Sequence, residues 1–326
     1  MAPHPSTRLL SLVPLVPLLL LLALPHAPLT HAMCECGYRT PTLDIFTDAL
    51  VVPSFGSVDL DAAPDFFPSA WSRDPVGDET VGTVMEKGNA VVDGQGVLGL
   101  SVRKDKKGGR VPGGEVMSTR KDISFGTFRI VMQTSAVPGS LASVSLTVDP
   151  TSSISLLLPS RLSPQALLTA SMNPPQTDAL GNPSTKSSQS LDVGGDPSAG
   201  WHEYRIDWLP TRTDILVDGR LLTSLTPPTT FNSSGGSVFA LSHFGPGSTV
   251  SGTPPTIDAT FSVLSVRLFF NSSDKARNDA YVSRCNSATN AGKDRRVCDT
   301  DSVVGTILSA NDAASSGGGD QGIPSE

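Results

Sequence analysis

Trp201-His-Glu-Tyr-Arg-Ile-Asp-Trp208, followed by Thr213-Asp-Ile-Leu-Val217, the pair Asp218-Gly219 and Arg220-Leu-Leu-Thr-Ser224, decides how the rest of the chain reads. His202, Tyr204, Ile206 and Trp208 fall on one face of the first run, and Trp201, Glu203, Arg205 and Asp207 on the other. That is the period of a β-strand. The next two runs flank an Asp-Gly pair, whose tolerance of positive φ suits a two-residue hairpin turn. Working outward, Ala90 to Arg103 reads as two strands around an Asp93-Gly94 turn. Gly126 to Gln133 is a strand with Phe128, Ile130 and Met132 on one side, and Leu141 to Val148, Ile154 to Leu158 and Thr260 to Phe270 continue the series. Many short strands without a long helical pattern predict an all-β sandwich. The 30 Gly and 27 Pro, beside only 17% charged residues, agree, since they supply turns and argue against a helical bundle. A single short helix is expected near the C-terminus. Ser272 or Ser273 would cap it, Asp274 lies in its first turn, and Ala276, Ala280, Tyr281 and Cys285 recur at helical spacing.

The two ends carry different information. Arg8, the apolar run Leu9 to Leu24 and Thr30-His31-Ala32 have the layout of a secretory signal peptide over 1–32. Pro14 and Pro17 inside the run disfavour the alternative, a spanning anchor. Cleavage after Ala32 removes His4, His26 and His31, leaves His202 and His243, and implies no membrane contact for the mature protein. The sandwich is expected over 33–300. A Ser-, Gly-, Ala- and Asp-rich stretch at 301–326 is expected to be a disordered tail, too poor in apolar residues to order itself. The formal charge of −7 and the absence of a basic stripe argue against a nucleic-acid partner.

Export predicts oxidising surroundings, and hence disulfides among Cys34, Cys36, Cys285 and Cys298. Four cysteines allow three connectivities. A Cys34–Cys36 ring would be very tight, so each N-terminal cysteine is expected to pair with one C-terminal cysteine, in either order. Zinc binding would want a nearby histidine or a C-x-x-C knuckle, and neither is present. Asn232-Ser-Ser and Asn271-Ser-Ser are acceptor sequons for glycosylation.

Several pieces in order resemble glycoside hydrolase family 16, the laminarinase and lichenase group. Trp201-His-Glu-Tyr204, Ile206-Asp-Trp208 and Val217-Asp-Gly219 are similar to the family's WHTYxIxW and VDG segments. Gly113-Gly-Glu115, Phe125-Gly-Thr-Phe-Arg129, Pro138-Gly139 and Ser251-Gly-Thr-Pro-Pro255 are similar to further family segments in the same order. Cys34-Glu-Cys-Gly-Tyr38 and the late cysteine pair resemble secreted fungal relatives. The resemblance implies a concanavalin A-like jelly roll, action on cell-wall β-glucan, and no cofactor beyond a structural calcium for which no ligands are assigned. It also implies a catalytic Glu-x-Asp-x-Glu strand lining a cleft, with one glutamate as nucleophile and the other as acid–base, as retaining glycosidases require. Counting from Pro138-Gly139, those positions fall on Ser153, Ser155 and Leu157, so no catalytic residue is assigned.

The sequence therefore predicts a secreted protein of the extracellular space or cell wall that binds β-glucan without hydrolysing it. Two other readings stand beside it: an active endo-β-glucanase or transglycosylase using displaced carboxylates, and a structural sandwich that binds no glycan. Glu115, His243, Phe244 and Trp71 are the candidate glycan contacts. Glu203 and Asp207 are expected at the surface, and His202 as a structural residue. No Gly-x-Ser-x-Gly elbow accompanies the two mature histidines, which excludes that route to a serine nucleophile.

Overall fold

Apolar side chains at every second position give each strand one face to bury, and two sheets bury those faces against each other. The structure, a computed structural model, describes residues 34–40, 45–62, 65–104, 106–160, 167–177, 184–290 and 297–301. The leader read at 1–32 and, Asp301 apart, the tail read at 301–326 lie outside them.

The front sheet orders its strands Ser188–Asp192, Leu167–Asn173, Ser153–Pro159, Leu141–Thr147, Val238–Phe244, Arg110–Ser118, Gly82–Met85 and Trp71–Arg73, with Phe66–Pro68 also paired to Arg110–Ser118. The back sheet runs Arg220–Leu225, Thr213–Val217, His202–Trp208, Ile123–Gln133, Ala259–Ser272, Leu98–Val102 and Ala90–Val92. Asp48–Val52 pairs with the long Ala259–Ser272 strand as well. Between the sheets, Phe128, Ile130, Tyr204, Ile206 and Trp208 pack in one core with Val144, Leu156, Ala170, Phe239 and Leu241. Each buried Val, Leu, Ile or Phe among them contributes about 1.5–3 kcal/mol relative to exposure. Among the described residues this is the sandwich with one α-helix that the sequence predicted, in the jelly-roll form that the resemblance implied.

Local chemistry explains the turns. Asp218 and Gly219 take φ values of 49° and 76°, the left-handed pair the hairpin needs. Gly139 has φ 100°, and a Cβ there would lie 2.2 Å from the Thr253 carbonyl oxygen. Only glycine lets the Pro138-Gly139 turn dock on the Ser251–Pro255 segment.

The helix spans Lys275–Asn290, and its cap is Asp274, whose Oδ1 accepts from the Ala276 amide at 2.8 Å. Ser272 still belongs to the preceding strand, which moves the cap past both serines that the spacing favoured. The helix is polar and is held by covalent means. Cys36–Cys285 ties it to the N-terminal segment, and Cys34–Cys298 ties that segment to the chain beyond the helix. Tyr38–Arg39 then pairs in parallel with Cys298–Asp299 and antiparallel with Ile45–Phe46. Tyr38 packs on Phe269, ring centroids 5.2 Å apart, which seats this small sheet against the outer side of the back sheet.

Candidate functional site

In Ser153–Pro159, Ile154, Leu156 and Leu158 are fully buried between the sheets, whereas Ser153, Ser155 and Leu157 are half-buried on the outer face. Pairing register extends this alternation into rows across the front sheet. One row runs Ser188, Ser171, Ser155, Ser145, Ala240, Met117, Phe67. The next runs Ser190, Thr169, Leu157, Ser143, Ser242, Glu115. One half of the face is thus a field of hydroxyls, and the other ends in a carboxylate beside aromatic rings.

Glu115 is the sole carboxylate on the five strands from Leu167–Asn173 to Arg110–Ser118. It is buried, and both oxygens are engaged: Oε1 accepts from Ser69 Oγ and, at 2.8 Å, from Trp71 Nε1, while Oε2 accepts from Ser242 Oγ at 2.7 Å. The strand spans Arg110–Ser118, so Glu115 lies mid-strand rather than at a strand start. Its carboxylate orients the Trp71 indole, and Trp71 opens a strand of its own with 38% of its surface exposed. Asp149, the nearest acid to the Ser153 strand, is turned away. It accepts from the Thr151 hydroxyl at 2.7 Å, the Thr151 amide at 2.8 Å and Asn232 Nδ2 at 3.1 Å. Those bonds, the Thr151 hydroxyl foremost, hold its carboxyl well below the usual carboxylate range.

His243 requires a correction. It is fully buried and points between the sheets, with Nδ1 2.8 Å from the Leu100 carbonyl oxygen and Nε2 2.7 Å from Ser140 Oγ. Nδ1–H donates to that carbonyl, and Nε2 then accepts from the hydroxyl. Burial pushes its pKa down to about 4. No ring face remains for a sugar. The alternation Phe239, Leu241, His243 carried this signal, because His243 shares the parity of two core residues. Phe244, one position on, lies opposite Leu141 on the outer side and is half-buried.

Asp207 is a second correction. It is 3% exposed and pairs with Arg205 at 2.7 Å, where a surface carboxylate was expected. Glu203 pairs with the buried Arg267 at 2.9 Å. His202 is part-exposed, its Nδ1 2.7 Å from Asp218 Oδ2. Asn232 is exposed, and its Oδ1 accepts from the Ser234 amide and hydroxyl; Asn271 is half-buried, and its Oδ1 accepts from the Thr47 amide at 3.2 Å. Among the described residues, no group of three or more His, Cys, Asp or Glu side chains is placed to hold a metal ion.

Sequence reading missed Phe67, 39% exposed on the outer face beside Met117. Its signal was the alternation Phe66 in, Phe67 out, within a strand too short to stand out. The hydroxyl rows were also missed, although Ser and Thr occupy every second position in Ser143, Ser145, Thr147 and in Thr169, Ser171.

Comparison with known proteins bears on the fold. The model of Glycosyl hydrolases family 16 matches residues 163–240. Among solved structures, a lichenase from a mouse hindgut metagenome is 16% identical with a TM-score of 0.54, covering 68% of this chain and 98% of its own. A laminarinase from Flavobacterium sp. UMI-01 is 16% identical with a TM-score of 0.54, covering 69% and 99%. A β-glucanase from Bacillus licheniformis is 15% identical, also at 0.54, covering 68% and 97%. No curated protein matches the chain in sequence. The resemblance read from the motifs therefore holds in the family match over 163–240 and in the fold.

Proposed function

We propose that this chain, similar to family 16 glucanases, holds β-glucan on the outer face of its front sheet and does not cleave it. The observation that carries this reading is the single, fully engaged carboxylate of the five strands where a retaining glycosidase needs two. At 5–5.5 Å separation, roughly, one carboxyl would attack the anomeric carbon and the other protonate the leaving oxygen. Ser153, Ser155 and Leu157 supply neither role, and loss of acid–base help alone costs about 10² to 10⁴ in rate. What the face retains is suited to binding. The Trp71 ring, oriented through its indole N–H, and Phe67 offer apolar planes to the C–H faces of a sugar, with hydroxyls alongside. Two disulfides fit an exported protein working in an oxidising space or cell wall, and no helix among the described residues is long and apolar enough to cross a membrane.

Reducing-end release from laminarin and lichenan should stay at background, while calorimetry with laminarihexaose should show binding that Trp71→Ala weakens about tenfold or more. Turnover that disappears on changing one named carboxylate would overturn the non-hydrolytic reading. Absence of binding to any β-glucan would leave the sandwich a structural one.

A further inference from the structure

The hydroxyl half of the front face is two-dimensional, and this bears on what form of glycan it meets. Three rows cross the strands Ser188–Asp192, Leu167–Asn173, Ser153–Pro159 and Leu141–Thr147. They are Asn173, Ser153, Thr147; Ser188, Ser171, Ser155, Ser145; and Ser190, Thr169, Leu157, Ser143. Strand spacing sets the repeat along each row at about 4.8 Å, and two residues of strand rise set the separation between rows at about 6.8 Å. Neighbours fix one another: Ser155 and Ser171 hydroxyls lie 2.9 Å apart, Thr169 and Ser190 3.2 Å, and Asn173 Nδ2 donates to Ser153 Oγ at 3.2 Å. A hydroxyl has one proton and two lone pairs, so each such pair still offers bonding capacity outward.

No charged side chain stands within these three rows. Asp192 lies at the edge of the sheet, and Asp149 is engaged by its own turn through Oδ1 and by Asn232 through Oδ2. The side chains are short and mostly part-exposed, so they make a shallow field rather than walls. A site for one soluble chain normally buries most of its ligand and converges a few polar groups on it. A single chain laid here would follow one row and leave the others in water. A flat array of parallel chains would meet all three rows at once, with many weak contacts acting together as linked binding events do.

We infer that the protein recognises the surface of an ordered, insoluble β-glucan, seating it on the Ser145, Ser155, Ser171, Thr169 field, in preference to an isolated soluble chain. This rests on the glycan-binding reading above and concerns the same face. The test compares the whole protein on sedimented curdlan particles and, by calorimetry, on laminarihexaose, with Ser155→Arg and Ser171→Arg as variants whose melting temperatures establish folding. Apparent affinity for particles should exceed that for hexasaccharide by about tenfold or more, and either arginine, standing proud of the field, should cut particle retention by a similar factor. Hexasaccharide bound as tightly as particles, or retention untouched by both folded arginine variants, overturns this inference while leaving glycan binding intact. Failure to bind either form overturns the glycan-binding reading itself.

Discussion

The two outer faces of the sandwich have opposite fates. On the back sheet, Arg205, Arg129 and Arg267 stand side by side on adjacent strands, and Arg129 and Arg267 are almost wholly buried. Carboxylates answer them: Asp207 to Arg205, Glu203 to Arg267, and Asp301, from the disulfide-bound C-terminal arm, to Arg129. Thr300 adds its hydroxyl to Arg129 at 3.3 Å. Burial, with Arg129 adjacent, pushes the Arg267 pKa down despite Glu203. The front sheet, by contrast, shows short neutral hydroxyls over half its outer surface. On these two faces, buried charge lies where chain folds back on chain, and neutral hydroxyls lie where the surface is open. A carboxylate on a strand of this fold is thus no signature of a working site until its partners are known.

The largest effect is expected at the cysteines. Replacing Cys34 and Cys36 by serine frees both arms from the back face. Loops of 264 and 249 residues are each worth about 5.5 kcal/mol by the chain-entropy account taken singly, an upper figure. A large fall in the urea midpoint is expected, and an unchanged midpoint would mean that the arms add nothing to the fold. Next, Arg267→Ala leaves Glu203 without its partner in a half-buried place, which should cost about 3 kcal/mol. Arg267→Met, which fills the same volume, paired with Glu203→Gln should recover much of that loss.

A third test concerns the interior. His243 is held neutral in the fold, with a pKa of about 4 against an ordinary 6.5. The unfolded chain takes up the proton first, so stability should fall as pH drops from about 6.5 towards 4 and level off below. The total is about 3 kcal/mol at most for a shift of that size. His243→Phe should remove that slope from a series of urea melts across this pH range, whatever it does to stability at neutral pH. Last and smallest, Ser155→Ala or Ser171→Ala on the open face should change stability by no more than about 0.5 kcal/mol, since each hydroxyl has water as an alternative partner.

Much of this architecture was legible in the chain. The Asp93-Gly94 and Asp218-Gly219 turns and the alternation in Gly126 to Gln133 and Trp201 to Trp208 place the strands they were read to place. Turn chemistry and period-two burial are local, so a linear text carries them. The burial of Asp207 was not legible, because arginines on its own and neighbouring strands, and arms from both ends of the domain, make that face an interior. Trp71 was readable as an aromatic in a Pro/Ser-rich stretch but not as an oriented ring, since the carboxylate that fixes it is 44 residues away. His243 was a failure of a different kind. Its parity with the core residues Phe239 and Leu241 is written in the strand, and that parity places it between the sheets.

One consequence follows from the neutrality of the hydroxyl field. Attraction between ions fades in brine and changes sign of advantage as acids take up protons, but a lattice of alcohols does neither. The same adhesion should persist in fresh or salty fluid and in sour or mildly alkaline surroundings. A protein laid on polysaccharide by such contacts would stay where it landed as the medium around it changed.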